Sequence, residues 1–220
     1  MNTKTPHIIR EGSKEYHLGE LKDDHIHYNF QSILQYLEVK GKILFGDNFK
    51  IYSEDEIILF TLCIYYIHDE EYAKKLNIDL NKGILLTGPV GCGKTSLMKL
   101  LRHIVPHKKS YKIIPCRNAV FSFNHLGYKT IEDYGNEKFY CFDDLGVEPT
   151  GRHYGKDCNV MGEILLSRYD LFLKNKIKTH STTNLNAQEL ETRYGNRVRS
   201  RMRQLFNLIA FDKETMDKRR

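Results

Sequence analysis

One stretch constrains this chain more than any other: Thr87-Gly88-Pro89-Val90-Gly91-Cys92-Gly93-Lys94-Thr95-Ser96. It reads G-x-x-x-x-G-K-[ST], the phosphate-binding P-loop. Such a loop must turn its backbone N–H groups toward phosphate oxygens. Gly88, Gly91 and Gly93 allow backbone angles and a close approach that a Cβ would block. The spacing predicts a helix opening at Lys94, whose unpaired N–H groups and positive dipole end face the same anion. In this pattern Lys94 reaches the β- and γ-phosphates and Thr95 offers a hydroxyl to Mg²⁺. The flanks agree: an apolar run, Gly83-Ile84-Leu85-Leu86, comes before, and Leu97, Met98, Leu100, Leu101 and Ile104 follow at helical spacing. The first expectation is therefore a nucleoside triphosphate with Mg²⁺ bound at Gly88–Ser96.

A chain of 220 residues suits one large domain, or one domain with a small N-terminal addition. Hydrophobic content of 40% and charged content of 28% are ordinary for a globular protein. A net charge of +6 permits contact with nucleic acid without requiring it. Cys63, Cys92, Cys116, Cys141 and Cys158 are odd in number and lack a C-x-x-C pair, which points to small core residues in a reducing compartment rather than a zinc site. Met1–Pro6 lacks the apolar stretch of a signal peptide. The run from Ile57 to Ile67 is shorter than the ~20 residues a bilayer span needs. A cytoplasmic protein with no membrane partner is expected.

Ahead of the P-loop, residues 1–25 read as a loose polar arm, and His25 and His27 as a solvent-facing pair. Phe30, Ile33, Leu34 and Leu37 mark one helical face, a pattern that Gly41 and Gly46 break. Ser53-Glu54-Asp55-Glu56 has the form of a capping box before an apolar helix. Residues 1–80 are expected to be an arm and helices packed on a core of residues 81–220, with a separate partner-binding module as the competing reading.

Behind the P-loop, His103 and His107 flank Pro106 and read as surface histidines at a helix end. Tyr111–Pro115 is a strand, and Arg117–Leu126 a helix with Val120, Phe121 and Phe123 as its apolar contacts. Phe139-Tyr140-Cys141-Phe142-Asp143-Asp144 carries a second chemical motif, a buried strand with two carboxylates at its C-terminal end. In a P-loop NTPase Asp143 would hold Mg²⁺ and Asp144 would orient and deprotonate the attacking water. Leu145–Asn159 reads as a polar loop, suited either to a polynucleotide or neighbouring subunit or to plain solvent. Val160–Lys174 is a helix, and Ile177–Asn184 a strand with a polar end. The Asn184 amide stands where it would meet the γ-phosphate and the lytic water, or else it serves the turn. Asn186 and Glu189 cap the next helix. Arg193, Arg197, Arg199, Arg201 and Arg203 crowd a segment broken by Gly195. Such a run is a solvated or nucleic-acid-facing surface, or it holds an arginine finger for a neighbour's γ-phosphate. Phe206–Phe211 is the last strand, followed by a short charged tail, Asp212–Arg220.

Taken together, Gly88–Ser96, Phe139–Gly146 with its Asp-Asp-Leu-Gly, Ser181–Leu185 as Ser-Thr-Thr-Asn-Leu, and Arg193–Met202 make residues 80 to 211 resemble one family. That family is the AAA+ ATPases of the bacterial helicase-loader type (DnaC and DnaI) with the related IstB transposition helpers. The resemblance implies an α/β core with a five-stranded parallel sheet in the order 5-1-4-3-2. It implies that Asp143 and Asp144 are the Walker B acids, Asn184 is sensor 1, and Arg201 is the finger, with Arg197 as fallback. It implies ATP and Mg²⁺ as cofactors, and assembly into a homo-oligomeric ring or spiral. DNA and a helicase or transposase are the implied partners, in replication or mobile-element transfer. The chain departs from the wider pattern at Asp144, where most AAA+ proteins have Glu, and no full C-terminal lid is expected. A nucleotide-gated binding module with little hydrolysis is the alternative function. A small-molecule P-loop kinase is a third, which the Thr-Thr-Asn strand end fits poorly.

Overall fold

A computed structural model describes residues 5–219. By contact density the chain divides into two units, one running through Ile78 and including Ser96–Ser110, the other formed by Asp79–Thr95 and the chain from Tyr111 onward.

In the first unit the expected loose arm is instead two antiparallel hairpins, β1 (Ile8–Glu11) with β2 (Lys14–His17), and β3 (Gly19–Lys22) with β4 (His25–Tyr28). Their turns explain the difference. Gly12 takes φ +62° at the first position of one two-residue loop, and Asp23 and Asp24 take φ +47° and +61° in the other. Those are the primed turns that match strand twist, and an Asp-Asp pair is a quieter signal for them than Asn-Gly. Helix α1 (Phe30–Phe45) starts at Asn29, whose side chain accepts from the Ser32 N–H. It runs through Gly41, where the Phe49 ring packs 2.1 Å from where a Cβ would stand, and ends at Gly46, whose φ is +98°. Helix α2 (Glu56–Ile67) lacks the expected capping box. A 3-10 turn over Ser53–Asp55 precedes it, and the Ser53 carbonyl accepts the Glu56 N–H. The short α3 (Glu70–Lys75) follows.

The second unit is built on β5 (Gly83–Thr87), β6 (Lys112–Pro115), β7 (Tyr140–Asp143), β10 (Thr179–Thr183) and β11 (Phe206–Ala210). All pair in parallel, in the spatial order β11-β5-β10-β7-β6. Counted from the P-loop strand this is the 5-1-4-3-2 order that the resemblance implied. Helix α4 (Lys94–Leu101) leaves the P-loop, α5 (Cys116–Leu126) and α6 (Lys129–Tyr134) follow β6, α7 (Val160–Asn175) precedes β10, and α8 (Ala187–Leu205) precedes β11. The core packs Phe123, Phe142, Ile164, Leu165, Met202 and Phe206 together. Phe121, expected as an apolar contact, is 51% exposed; the buried face of α5 is Ala119, Val120 and Phe123.

The expected polar loop after β7 contains a third hairpin, β8 (Gly151–His153) with β9 (Lys156–Cys158). Its turn residues, Tyr154 and Gly155, both have positive φ, and Arg152 pairs with Asp157 across the strands at 3.4 Å. Helix α8 begins with the expected Asn186–Glu189 capping box and kinks at Gly195, where φ is +79°.

Strand β10 reads Thr-His-Ser-Thr-Thr, yet every residue is buried. Its polar groups are satisfied in place: the Ser181 hydroxyl donates to Phe142 O at 2.6 Å and the Thr183 hydroxyl to Leu145 O at 2.6 Å. His180 Nδ1 accepts the Ile84 N–H at 3.2 Å, and burial pushes its imidazole pKa down to about 3, so the ring is neutral at pH 7.

Candidate functional site

Three parallel strands deliver their C-terminal ends to one crevice, where sheets of this class hold ligands. Thr183 of β10 pairs with Thr87 of β5, and Ser181 pairs with Phe142 of β7. The P-loop leaves β5 here, and its Gly88 N–H donates to Thr183 O at 3.3 Å. Gly91 and Gly93 take φ of +83° and +99°, conformations that favour glycine. Lys94 is buried, and its ammonium donates to Gly88 O at 2.8 Å and Pro89 O at 2.7 Å, with Cys92 Sγ at 3.8 Å. Val90 is exposed at the loop's edge, and Thr95 and Ser96 continue into α4.

Asp143, the last residue of β7, is 8% exposed. Its Oδ1 accepts two hydroxyls, Thr95 Oγ1 at 2.8 Å and Thr182 Oγ1 at 2.7 Å. Thr182 Oγ1 also accepts the Asp144 N–H at 3.0 Å. That chain of bonds runs from the Asp144 backbone through Thr182 to Asp143, and it accompanies an Asp144 φ of +57°, rare for a non-glycine residue. The Asp144 side chain is exposed. Desolvation by the surrounding protein and the charge of Asp143 nonetheless raise its pKa, while Lys94, Arg219 and Arg117 oppose them. A carboxylate made more basic in this way is better suited to accept a proton. Among the described residues no group of three or more His, Cys, Asp or Glu side chains could hold a metal ion. The Thr95 hydroxyl and Asp143 carboxylate are hard oxygen donors, the chemistry of a site for Mg²⁺ that also uses substrate oxygens.

Asn184 follows Thr183 directly, so it stands at the strand tip beside the P-loop, with its side chain exposed. Arg201 is elsewhere. Its guanidinium lies 4.6 Å over the Tyr169 ring, and Nη1 donates to Tyr169 Oη at 3.4 Å. The structure thus brings Lys94, Thr95, Asp143, Asp144 and Asn184 to one end of the sheet, and holds Arg201 of α8 against Tyr169 of α7.

Sequence reasoning missed Glu148. It is 5% exposed, accepts the Gly146 N–H at 2.7 Å and the Tyr194 hydroxyl at 2.6 Å, and lies 3.7 Å from Arg193 Nη2. These bonds tie the loop beyond the two acids to α8, and they give Arg193 a structural partner. Thr182 was also missed as a site residue, though its place in a Thr-Thr-Asn strand end was the available signal.

No family model matches the sequence. A stretch of 41 residues is 46% identical to a putative ABC transporter ATP-binding protein of Methanosarcina acetivorans, covering 18% of this chain and 6% of that protein's length. Solved structures give a broader likeness. The DnaC helicase loader matches with a TM-score of 0.54 at 20% identity, over 76% of this chain and 95% of that one. DnaI matches with a TM-score of 0.53 at 21% identity, over 76% of this chain and 87% of that one. The chain is similar to both in fold, an α/β arrangement on a five-stranded parallel sheet. Among the described residues no helix is long and apolar enough to cross a membrane.

Proposed function

We propose that this chain is an AAA+ protein that binds and hydrolyses ATP in DNA replication, as a helicase loader, or in mobile-element transposition or transfer. The observation that carries the chemistry is the Asp143 carboxylate, which accepts the Thr95 and Thr182 hydroxyls at 2.8 and 2.7 Å beside the P-loop. Thr95 and Asp143 would hold Mg²⁺, which neutralises charge on the phosphate oxygens when bound. Lys94 meets the β- and γ-phosphates, Asp144 orients water and takes its proton, and Asn184 hydrogen-bonds the γ-phosphate and that water. Arg201 serves the site of a neighbouring subunit in a ring or spiral. The replication role rests on analogy of fold with the two proteins above. DNA as a partner is supported by the +6 net charge.

The test is steady-state ATPase of the full chain with Mg²⁺, alone and with single- or double-stranded DNA. Asp144→Asn is expected to bind ATP while losing about 10²–10⁴-fold in turnover. Arg201→Ala is expected to bind ATP and lose about 10³-fold in the assembled state. Wild-type turnover by Arg201→Ala would remove the finger assignment. One observation favours a second reading, a nucleotide-gated module that binds DNA or a protein and hydrolyses little. Asp144 is a methylene shorter than Glu, and its backbone is held in a left-handed conformation through Thr182. Background turnover under every condition, with ATP bound, would select that reading.

A further inference from the structure

Beyond β11 the chain turns back across the P-loop. The Phe211 N–H donates to Thr87 O at 2.8 Å, and the Phe211 side chain is buried against Gly88, where a Cβ would stand 2.6 Å from it. Lys218 then makes two contacts with the loop. Its backbone N–H donates to Gly91 O at 3.1 Å and its Nζ to Cys92 O at 3.2 Å. The same ammonium lies 5.3 Å over the Phe211 ring. Asp217 fills the space at Gly91, its Oδ1 only 2.0 Å from where a Cβ would be, and that oxygen accepts the Arg219 N–H at 3.0 Å.

The two carbonyls that Lys218 holds have a geometric consequence. A trans peptide is planar, so the carbonyl of one residue and the N–H of the next point in opposite directions. Fixing Gly91 O therefore points the Cys92 N–H the opposite way, and that N–H meets Pro89 O at 3.5 Å, the same carbonyl that accepts Lys94 Nζ. Fixing Cys92 O sets the direction of the Gly93 N–H in the same way, away from Lys218 Nζ. Amides of this stretch are the ones a P-loop aims at phosphate.

We propose that Lys218 is a positioning residue for the nucleotide phosphates: it clamps the Gly91 and Cys92 carbonyls and so fixes the orientation of the two peptides that carry the Cys92 and Gly93 amides. The segment Phe211–Arg219 is the strap that carries this clamp. The proposal rests on the ATP reading above and names a part of that site which the P-loop motif does not contain. Lys218 acts through the P-loop backbone and not by touching the reacting atoms. Its effect therefore follows the β-phosphate, which ATP and ADP share.

Calorimetric titration of wild type, Lys218→Ala and Lys218→Arg with ATP and ADP in Mg²⁺ tests it, alongside thermal melting of the ligand-free proteins. Lys218→Ala keeps the backbone bond and loses the charged one, so both nucleotides are expected to bind about tenfold more weakly. Lys218→Arg is expected to restore affinity to within about twofold, since it keeps a cationic donor. All three ligand-free proteins are expected to melt together, which a merely structural lysine would not do. Wild-type affinity in Lys218→Ala overturns the proposal, as does a loss that arginine fails to rescue or a matching drop in melting temperature. A wild-type chain that binds neither nucleotide defeats the ATP reading itself, and the clamp falls with it.

Discussion

Lys94→Ala is expected to abolish nucleotide binding, raising the Kd for ATP by about 10²-fold or more and removing any turnover. The side chain is 6% exposed and donates to the carbonyls of Gly88 and Pro89. A methyl group at that position leaves both carbonyls without their cation and leaves the phosphates without a buried positive charge. Lys94→Arg is expected to fail almost as badly. A planar fork does not fit a loop closed around a compact ammonium. Calorimetry with ATP and Mg²⁺ measures the loss, and thermal melting confirms that each variant is folded. Binding by a folded Lys94→Ala at wild-type strength would mean that the P-loop is not where ATP binds.

The second large effect is on stability, at Arg168. This residue of α7 is fully buried. Its Nε donates to Thr179 Oγ1 at 2.8 Å, and Nη2 donates to Lys178 O at 3.3 Å. Its Nη1 serves the carbonyls of Tyr134 and Asn136. The guanidinium also lies 5.3 Å over the Tyr140 ring. These partners are neutral, and burial lowers its pKa to about 10, which leaves it charged at pH 7. One side chain thus joins the starts of β7 and β10 to the loop after α6. Arg168→Ala is expected to cost about 3–5 kcal/mol, from an emptied cavity and stranded carbonyls together. Arg168→Met refills much of the volume but supplies no donors, so about 2–3 kcal/mol of the loss should remain. Chemical denaturation of both variants separates packing from hydrogen bonding. A methionine variant as stable as wild type would show that the hydrogen bonds contribute nothing net.

The positions of Arg168 and Lys218 show how far sequence reading reached. Arg168 falls on the buried stripe of α7 with Ile164, Leu165 and Phe172, but the sequence analysis did not single it out. Its four acceptors have no local signal, because they come from segments brought together only by the sheet. Lys218 lies in a charged tail with no periodicity, and nothing local distinguishes it from Lys213. The hairpins of residues 8–28 were missed because their turns use Gly-Ser and Asp-Asp, and their strands alternate too weakly to stand out.

What the sequence determined by itself is what depends on neighbouring residues along the chain. Gly88–Ser96 specify a strand, a glycine loop and a helix start, and Phe139–Asp144 specify an apolar strand ending in acids. Both are short-range consequences of backbone freedom, helix dipole and burial. The sheet order was reached through resemblance, not from those forces. Only the tertiary structure decided that Thr182 bonds both Asp143 and the Asp144 backbone, that Arg201 packs on Tyr169, and that Lys218 returns to the P-loop. Each of these joins residues 32 or more positions apart. Such pairings have no local signature, because their free energy comes from chain segments that meet only after the sheet has formed.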